Sequence, residues 1–389
     1  MTAVITLRHL ATLGLALSPA SALAQAPSPP AETSELRRSL TVSGYAEAYY
    51  SYNFGAPSNG LNAFRFFDAS HDHIALNNLG LDVNWSIGPV AGHTTLQLGA
   101  VAGLAYLPAP TLPRAQQEIL WRVLQEVTLG WSPRLLGRAP LTVEAGIFVA
   151  PFGVEWVQVY RNWTWSPTNF FYVAPFQMTG GRASWKFNDR LTARAGVYAG
   201  MDRVLDDNNS DRSVLLQLEY TTGDDLFVSA QYMFGVERDR DAPEGPWVRH
   251  TFDLFTELRA SRRLQLRGHL YGGFEPNRTG VNGWFSAAVS ARYELLSWLF
   301  LAGRADLVHE WVPERGASVF ALDGANLFGS GTLTVELLPE SHLSLRVEYR
   351  HDHANGPLYF AGAVQRAAGV DIPNADSQDT VTIGATTWF

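Results

Sequence analysis

The sequence predicts an all-β fold: one transmembrane antiparallel β-barrel of about sixteen strands, with long loops at one end and short turns at the other. Three observations predict it. Segments of about ten residues alternate apolar and polar side chains with period two. The connections between these segments alternate between short and long. Aromatic residues gather at the ends of one face.

Composition narrows the choice further. The 389 residues are 46% hydrophobic and 17% charged, with 34 Gly, 12 Trp, 14 Tyr and 21 Phe. Apolar content at that level excludes a disordered chain. Cysteine is absent, which excludes disulfides, thiolate catalysis and cysteine metal sites. With 29 basic and 37 acidic residues the net charge is −8, so no nucleic-acid partner is expected.

The first element is an address. Met1 to Ala24 carries one charged residue, Arg8, then the apolar run Leu10 to Leu17, then the small residues Ala22 and Ala24 at a cleavage spacing. Residues 1–24 are expected to be a cleaved signal peptide, and 25–39 a short Pro-rich periplasmic tail. Residues 40–389 are expected to form the barrel in a bacterial outer membrane. No later segment offers roughly 20 clean apolar residues for a spanning helix; the nearest, Leu98 to Pro113, is broken by glycines and prolines.

The alternating segments fall near 40–53, 76–86, 90–100, 121–131, 141–150, 179–187, 191–200, 213–220, 226–235, 250–260, 264–274, 284–294, 298–310, 327–337, 343–352 and 380–389. Ala115 to Val123 could make a helical turn or two inside a loop. Short connections such as Ile87-Gly88-Pro89, Asn188-Asp189-Arg190 and Ser261-Arg262-Arg263 mark the periplasmic end. The long ones are 54–75, 101–120, 151–178, 201–212, 236–249, 275–283, 311–326 and 353–379.

The two faces differ in chemistry. One carries residues such as Leu79, Leu81, Val127, Leu129, Phe285, Val289, Val347 and Ile383 and no charge. It ends in Trp85, Trp131, Trp185, Phe187, Tyr220, Tyr293 and Phe389 at the periplasmic level, with Tyr50, Tyr52, Phe234, Phe274 and Trp311 above. Amphipathic rings favour the headgroup zone, so this face meets outer-membrane lipids. The other face is expected to line a wetted pore with Glu126, Glu144, Arg182, Arg194, Glu257, Arg292, Arg304, Asp306, Arg346, Glu348 and Arg350. Alternation of sign, as in Arg346/Glu348/Arg350, predicts cross-strand ion pairs and no strong ion filter. Acidic loop residues Asp202, Asp206, Asp207, Asp211, Glu237, Asp239, Asp241, Asp371, Asp376 and Asp379 predict a weak cation bias at the mouth.

The C-terminal run Thr382-Ile383-Gly384-Ala385-Thr386-Thr387-Trp388-Phe389 resembles the assembly signal of outer-membrane barrels, with Thr387 where a hydrophobic residue is usual. That resemblance implies that the barrel-assembly machinery reads Thr382, Gly384 and Phe389. The block Gly146-Ile-Phe-Val-Ala-Pro-Phe-Gly153-Val-Glu155 is followed by Asn162-Trp-Thr-Trp-Ser166 and Thr179-Gly180, and the chain closes with Arg346-x-Glu348-x-Arg350-x-Asp352 and Gln378. Together these are similar to β-barrel porins of the OmpL-like kind across essentially the whole mature chain. The resemblance implies a porin-like channel and leaves the solute open.

Other constellations are weaker. His71-Asp72-His73 and His351-Asp352-His353 suit a metal by ligand type, but their strands lie three spacings apart in a closed ring, roughly 14 Å. They read as a solvated rim. Gly180-Gly181 and Gly272-Gly273 lack the helix and Lys-Ser/Thr of a phosphate loop. Asn162-Trp-Thr and Asn277-Arg-Thr match a glycosylation sequon, a weak pattern in a bacterial chain. No cofactor, metal or catalytic residue is expected.

The longest loop, 151–178, is rich in Phe, Trp and Tyr and carries only Glu155 and Arg161 as charges. Its aromatic surface favours folding inward. Two readings stand: its rings pack it against the wall, or Trp163 and Trp165 stack on sugar-like solutes at a constriction with Glu155 and Arg161 across it. The expected function is passive diffusion of small hydrophilic solutes, with a homo-oligomer compatible. A barrel lipid hydrolase and a non-conducting adhesion or scaffold barrel are the alternatives.

Overall fold

Sixteen strands close into one ring in the computed structural model, which describes residues 38–104, 122–133, 141–204, 207–320, 322 and 324–389. The expected signal peptide and nearly all of the Pro-rich tail lie outside these residues, as does most of 115–123. The ring consists of β1 (Arg38–Asn53), β2 (His73–Ile87), β3 (Val90–Leu98), β4 (Leu124–Trp131), β5 (Leu141–Val149), β6 (Gln177–Lys186), β7 (Leu191–Tyr198), β8 (Ser213–Thr221), β9 (Leu226–Val236), β10 (Val248–Arg259), β11 (Leu264–Asn277), β12 (Gly280–Leu296), β13 (Leu299–Trp311), β14 (Leu327–Glu340), β15 (Leu343–Ala354) and β18 (Ser377–Trp388). A small hairpin, β16 (Arg366–Ala367) with β17 (Val370–Asp371), decorates the last loop.

Every neighbour pairs antiparallel, and β1 pairs β18 from Tyr45↔Trp388 to Asn53↔Thr380, so no edge remains. Val289 stands 64% exposed on the outer face, as the alternation requires. Trp131, Trp185, Phe187, Tyr220, Tyr293 and Phe389 are likewise exposed at the lower rim. The terminal ring of Phe389 lies over Gly44, where its Cε1 is 2.8 Å from the position a Cβ would take. A side chain at Gly44 would displace it.

Two expectations are corrected. Residues 275–283 are not a long loop, because β11 runs to Asn277 and β12 starts at Gly280. The Asn277 side chain makes this possible: its Oδ1 accepts from Thr279 N at 2.9 Å and Thr279 Oγ1 at 2.6 Å, and Gly280 supplies φ +140°. The inner face is also not uniformly polar. Towards the outer end it carries Phe148, Met178, Tyr198, Leu215, Met233, Tyr271, Trp284, Val308 and Phe328, all buried. Ala63, Phe152, Phe170, Leu322, Leu358 and Tyr359 from the loops pack on this belt, so the barrel holds an apolar core inside its own mouth.

Candidate functional site: the channel interior

The loop between β5 and β6 enters the barrel and crosses it. Its base is closed by Ala150 N donating to Phe176 O at 2.9 Å. It carries a 3-10 turn at Val159–Arg161 and one helical turn, α1 (Phe170–Val173). Most of it is irregular, so its backbone groups need partners from elsewhere. The far wall supplies them.

Arg346 on β15 donates to Val159 O at 2.7 Å, Asn162 O at 2.7 Å and Thr164 O at 3.2 Å. Arg304 on β13 donates to Ser166 O, Pro167 O and Thr164 Oγ1, and Arg350 donates to Pro167 O and Asn169 Oδ1. The carboxylates take the amides. Glu47 accepts from Val159 N at 2.7 Å, Glu348 from Trp165 N and Ser166 N, and Asp306 from Asn169 N at 3.0 Å. A guanidinium offers five donors in a plane and a carboxylate about four acceptor sites, which is what an unpaired backbone requires. Burying such charges is costly unless they are paired and hydrogen-bonded. Here Arg304, Asp306, Arg346 and Arg350 are both, and Glu47 and Glu348 each accept several hydrogen bonds.

This arrangement corrects the pore-lining expectation for five residues. Arg304, Asp306, Arg346, Glu348 and Arg350 are all more than nine-tenths buried beneath the loop, and they anchor it instead of meeting water. Alternation places a side chain inside the barrel but carries no signal about what covers it.

The other wall stays open. A cavity of about 680 Å³ lies between the loop and the wall from β1 to β10. Four expected lining residues, Glu126, Arg182, Arg194 and Glu257, face it, and Glu144 is tied to Arg182 at 2.7 Å. Arg194 pairs with Glu219, and Glu257 with Arg267 at 2.8 Å. Arg292 is half-covered, bonded to Glu336 at 2.6 Å and lying over Phe300. The expected cross-strand ion pairs are therefore present.

The four loop residues proposed for a constriction separate. Trp165 is 1% exposed and donates Nε1 to Phe67 O at 2.9 Å, so it presents no face to a solute. Trp163 is buried with the Arg267 guanidinium 4.0 Å from its ring centroid. Glu155 accepts from Thr168 N and Oγ1 and pairs with Arg304 at 3.2 Å. Glu155 and Arg161 both border the cavity, and Arg161 is the exposed one of the two, 4.6 Å above the Trp156 ring. Asp82, with Thr95 Oγ1 donating to it at 2.6 Å, and His93 complete the polar wall. The alternation along β2 and β3 turns both inward, and no motif in the sequence marks either of them.

Two residues of the terminal motif are tied into the interior. Thr382 Oγ1 bonds Ser51 Oγ and Asp68 Oδ2, and Gly384 lies under Trp165. At the mouth, the acidic residues do different things. Asp202 accepts from Phe176 N and Gln177 N, and burial pushes its carboxyl up to about 6. Glu237 accepts from Met201 N at 2.8 Å and from Ser213 Oγ, and burial raises its carboxyl too. Asp206 lies outside the described residues. His71 Nδ1 accepts from Asn53 N, and His351 bonds Asp379 at 2.9 Å. Among the described residues no three metal-ligating side chains converge.

Residues 39–389 match a family described as "Putative beta-barrel porin-2, OmpL-like". No curated protein matches the chain. Several solved structures share its fold. The trimer form of in-vitro folded OmpT, an outer membrane protein of Vibrio cholerae, is 12% identical with a TM-score of 0.56, covering 90% of this chain and 99% of that one. The outer membrane channel DcaP of Acinetobacter baumannii is 12% identical with a TM-score of 0.56, covering 90% and 97%. An anion-selective porin from Comamonas acidovorans is 12% identical with a TM-score of 0.57, covering 91% and 100%.

Proposed function

The chain belongs to this OmpL-like family of β-barrel porins, and on that premise we propose that it passes small hydrophilic solutes across the outer membrane by diffusion, without catalysis. The observation that carries the proposal is the asymmetric interior. One wall is occupied by the crossing loop, while the wall from β1 to β10 borders a cavity lined by charged and aromatic side chains. A barrel of this strand number has room for an aqueous path, and the loop sets its width. Pore radius and lining charge then do the selecting.

The signal peptide over 1–24 delivers the chain, and the assembly machinery inserts it by reading the terminal strand. A homo-oligomer fits the small outward residues Ala183, Ala193, Ala195 and Ala230, which leave an apolar groove on β5 to β9, and one solved structure of this fold is a trimer form. Cross-linking in native outer membranes tests that contact.

The channel itself is tested by reconstitution. Purified protein should give discrete conductance steps in planar bilayers and swell liposomes in small hydrophilic solutes. Shortening the loop between Trp156 and Phe171 should raise both. A folded barrel that conducts nothing overturns the proposal.

A further inference from the structure

The charges around the cavity are almost all spoken for. Glu144 holds Arg182, Glu219 holds Arg194, Glu257 holds Arg267, Glu155 holds Arg304, and Asp82 accepts from Thr95 and lies 3.5 Å from His93 Nε2. Two are not. Glu126 on β4 makes no hydrogen bond among the described residues and meets only the imidazole of His93 within ion-pair distance, at 3.7 Å, with no guanidinium or ammonium on it. Arg161 on the loop meets no carboxylate within ion-pair distance among the described residues, and rests on the rings of Trp156 and Tyr160 at 4.6 and 5.8 Å. Both line the same cavity.

We propose that this cavity is a binding site for zwitterionic solutes of amino-acid or short-peptide size carrying an apolar side chain. The inference rests on the channel reading and names its solute class. Glu126 receives the ammonium end and Arg161 the carboxylate end. A guanidinium matches a carboxylate through two parallel hydrogen bonds, and a carboxylate unpaired with any strong donor offers its oxygens to an ammonium.

A solute with one charge satisfies one of these groups and leaves the other without a partner, whereas a zwitterion satisfies both. The remaining surface suits the side chain. Trp156 is 50% exposed, and Phe171 and Phe227 border the same space. The volume falls in the roughly 300–1,000 Å³ range of small-molecule sites, which join apolar walls to a few placed polar groups. The guanidinium–carboxylate pairs around the site hold their charges in fixed positions, which leaves Glu126 and Arg161 as the cavity's carboxylate and guanidinium not matched to each other's kind.

The test uses the full-length barrel in liposomes at neutral pH and three solutes of matched size: L-phenylalanine, phenethylamine and 3-phenylpropionate. L-phenylalanine should enter severalfold faster than either singly charged analogue. Glu126→Gln should shift the preference towards 3-phenylpropionate, and Arg161→Gln towards phenethylamine. Heat-modifiable migration confirms that each variant folds, and the wild-type series stands without them. Equal entry of the three solutes through a conducting wild-type barrel overturns the site and leaves the channel intact. A barrel that conducts no ions overturns both. Variants that fold and keep the wild-type preference overturn the assignment of Glu126 and Arg161.

Discussion

The indole of Trp165 occupies the space that a side chain at Gly384 would fill: its ring carbons Cε3 and Cζ3 lie 2.2 Å from the position of a Cβ there. Trp165 belongs to the crossing loop, and Gly384 to the strand that closes the barrel against β1. Nearby, Tyr160 stacks on Trp388 of β18 with centroids 4.9 Å apart, and tilts against Tyr45 of β1 at 5.8 Å. The loop therefore seats itself on the two strands that form the seam, and its seat exists only once the seam is closed.

Trp165→Ala should free the loop without harming insertion. The loss of a buried tryptophan costs about 3–5 kcal/mol, concentrated in the loop because the strand ladder is untouched. Single-channel recording should show larger and noisier conductance, with normal amounts of protein in the outer membrane. Quiet conductance of wild-type size would show that the indole is not what holds the loop.

Replacing Arg304 by Met should release the same loop from the other side. It strips partners from Ser166 O and Pro167 O and leaves Glu155 without its counter-charge. Breaking a buried pair by removing one partner costs roughly 3–5 kcal/mol. Protease should then cut within 151–176 in intact vesicles, whereas the wild-type loop resists.

Position 289 checks the register. Val289→Arg places a charge in lipid at a cost of roughly 2–4 kcal/mol near the midplane, while Ser290→Arg faces inward. Folded yield in the outer membrane should fall for the first and hold for the second. Deleting Phe389 should also lower the yield, because Phe389 N and O bond Gly44 across the seam; normal heat-modifiable migration of that truncation would contradict the role given to the terminal strand.

Acid should tighten the base of the crossing loop. The carboxyl of Asp202 is raised by burial from 3.8 to about 6, so the folded loop favours its protonated form. Its contribution is fully present below pH 3.8 and is lost as pH rises through about 6, to an extent of roughly 3 kcal/mol. Asp202→Asn keeps the oxygen that accepts from Phe176 N and Gln177 N and removes the charge. Exchange of those two amides, corrected for intrinsic rate, should become more protected from pH 7 to 5 in the wild type. In the variant that slope should flatten, with a residue from Glu237, which is raised by burial as well. An unchanged slope would assign the effect elsewhere.

The sequence by itself determined the sixteen strands, their phase and the lower aromatic rim. A one-residue slip turns every side chain to the opposite face, and lipid tolerates almost no charge, so each strand had a single acceptable reading. It could not separate Arg194, which borders the cavity, from Arg304, which lies beneath the loop. Both are arginines at inward positions of a strand, and what distinguishes them is a segment some 140 residues away that reaches one wall and not the other. The apolar ring of Phe148, Met178, Tyr271 and Trp284 was legible as inward residues near the outer ends of strands, but its meaning depends on the loops that cover it. The turn at Asn277 depended on one side chain folding back on its own backbone. Only the tertiary structure decided which lumen charges are hydrogen-bond partners for a crossing chain and which remain free, because partnership is set by what comes within about 3 Å, and the periodicity of a strand carries no information about that distance.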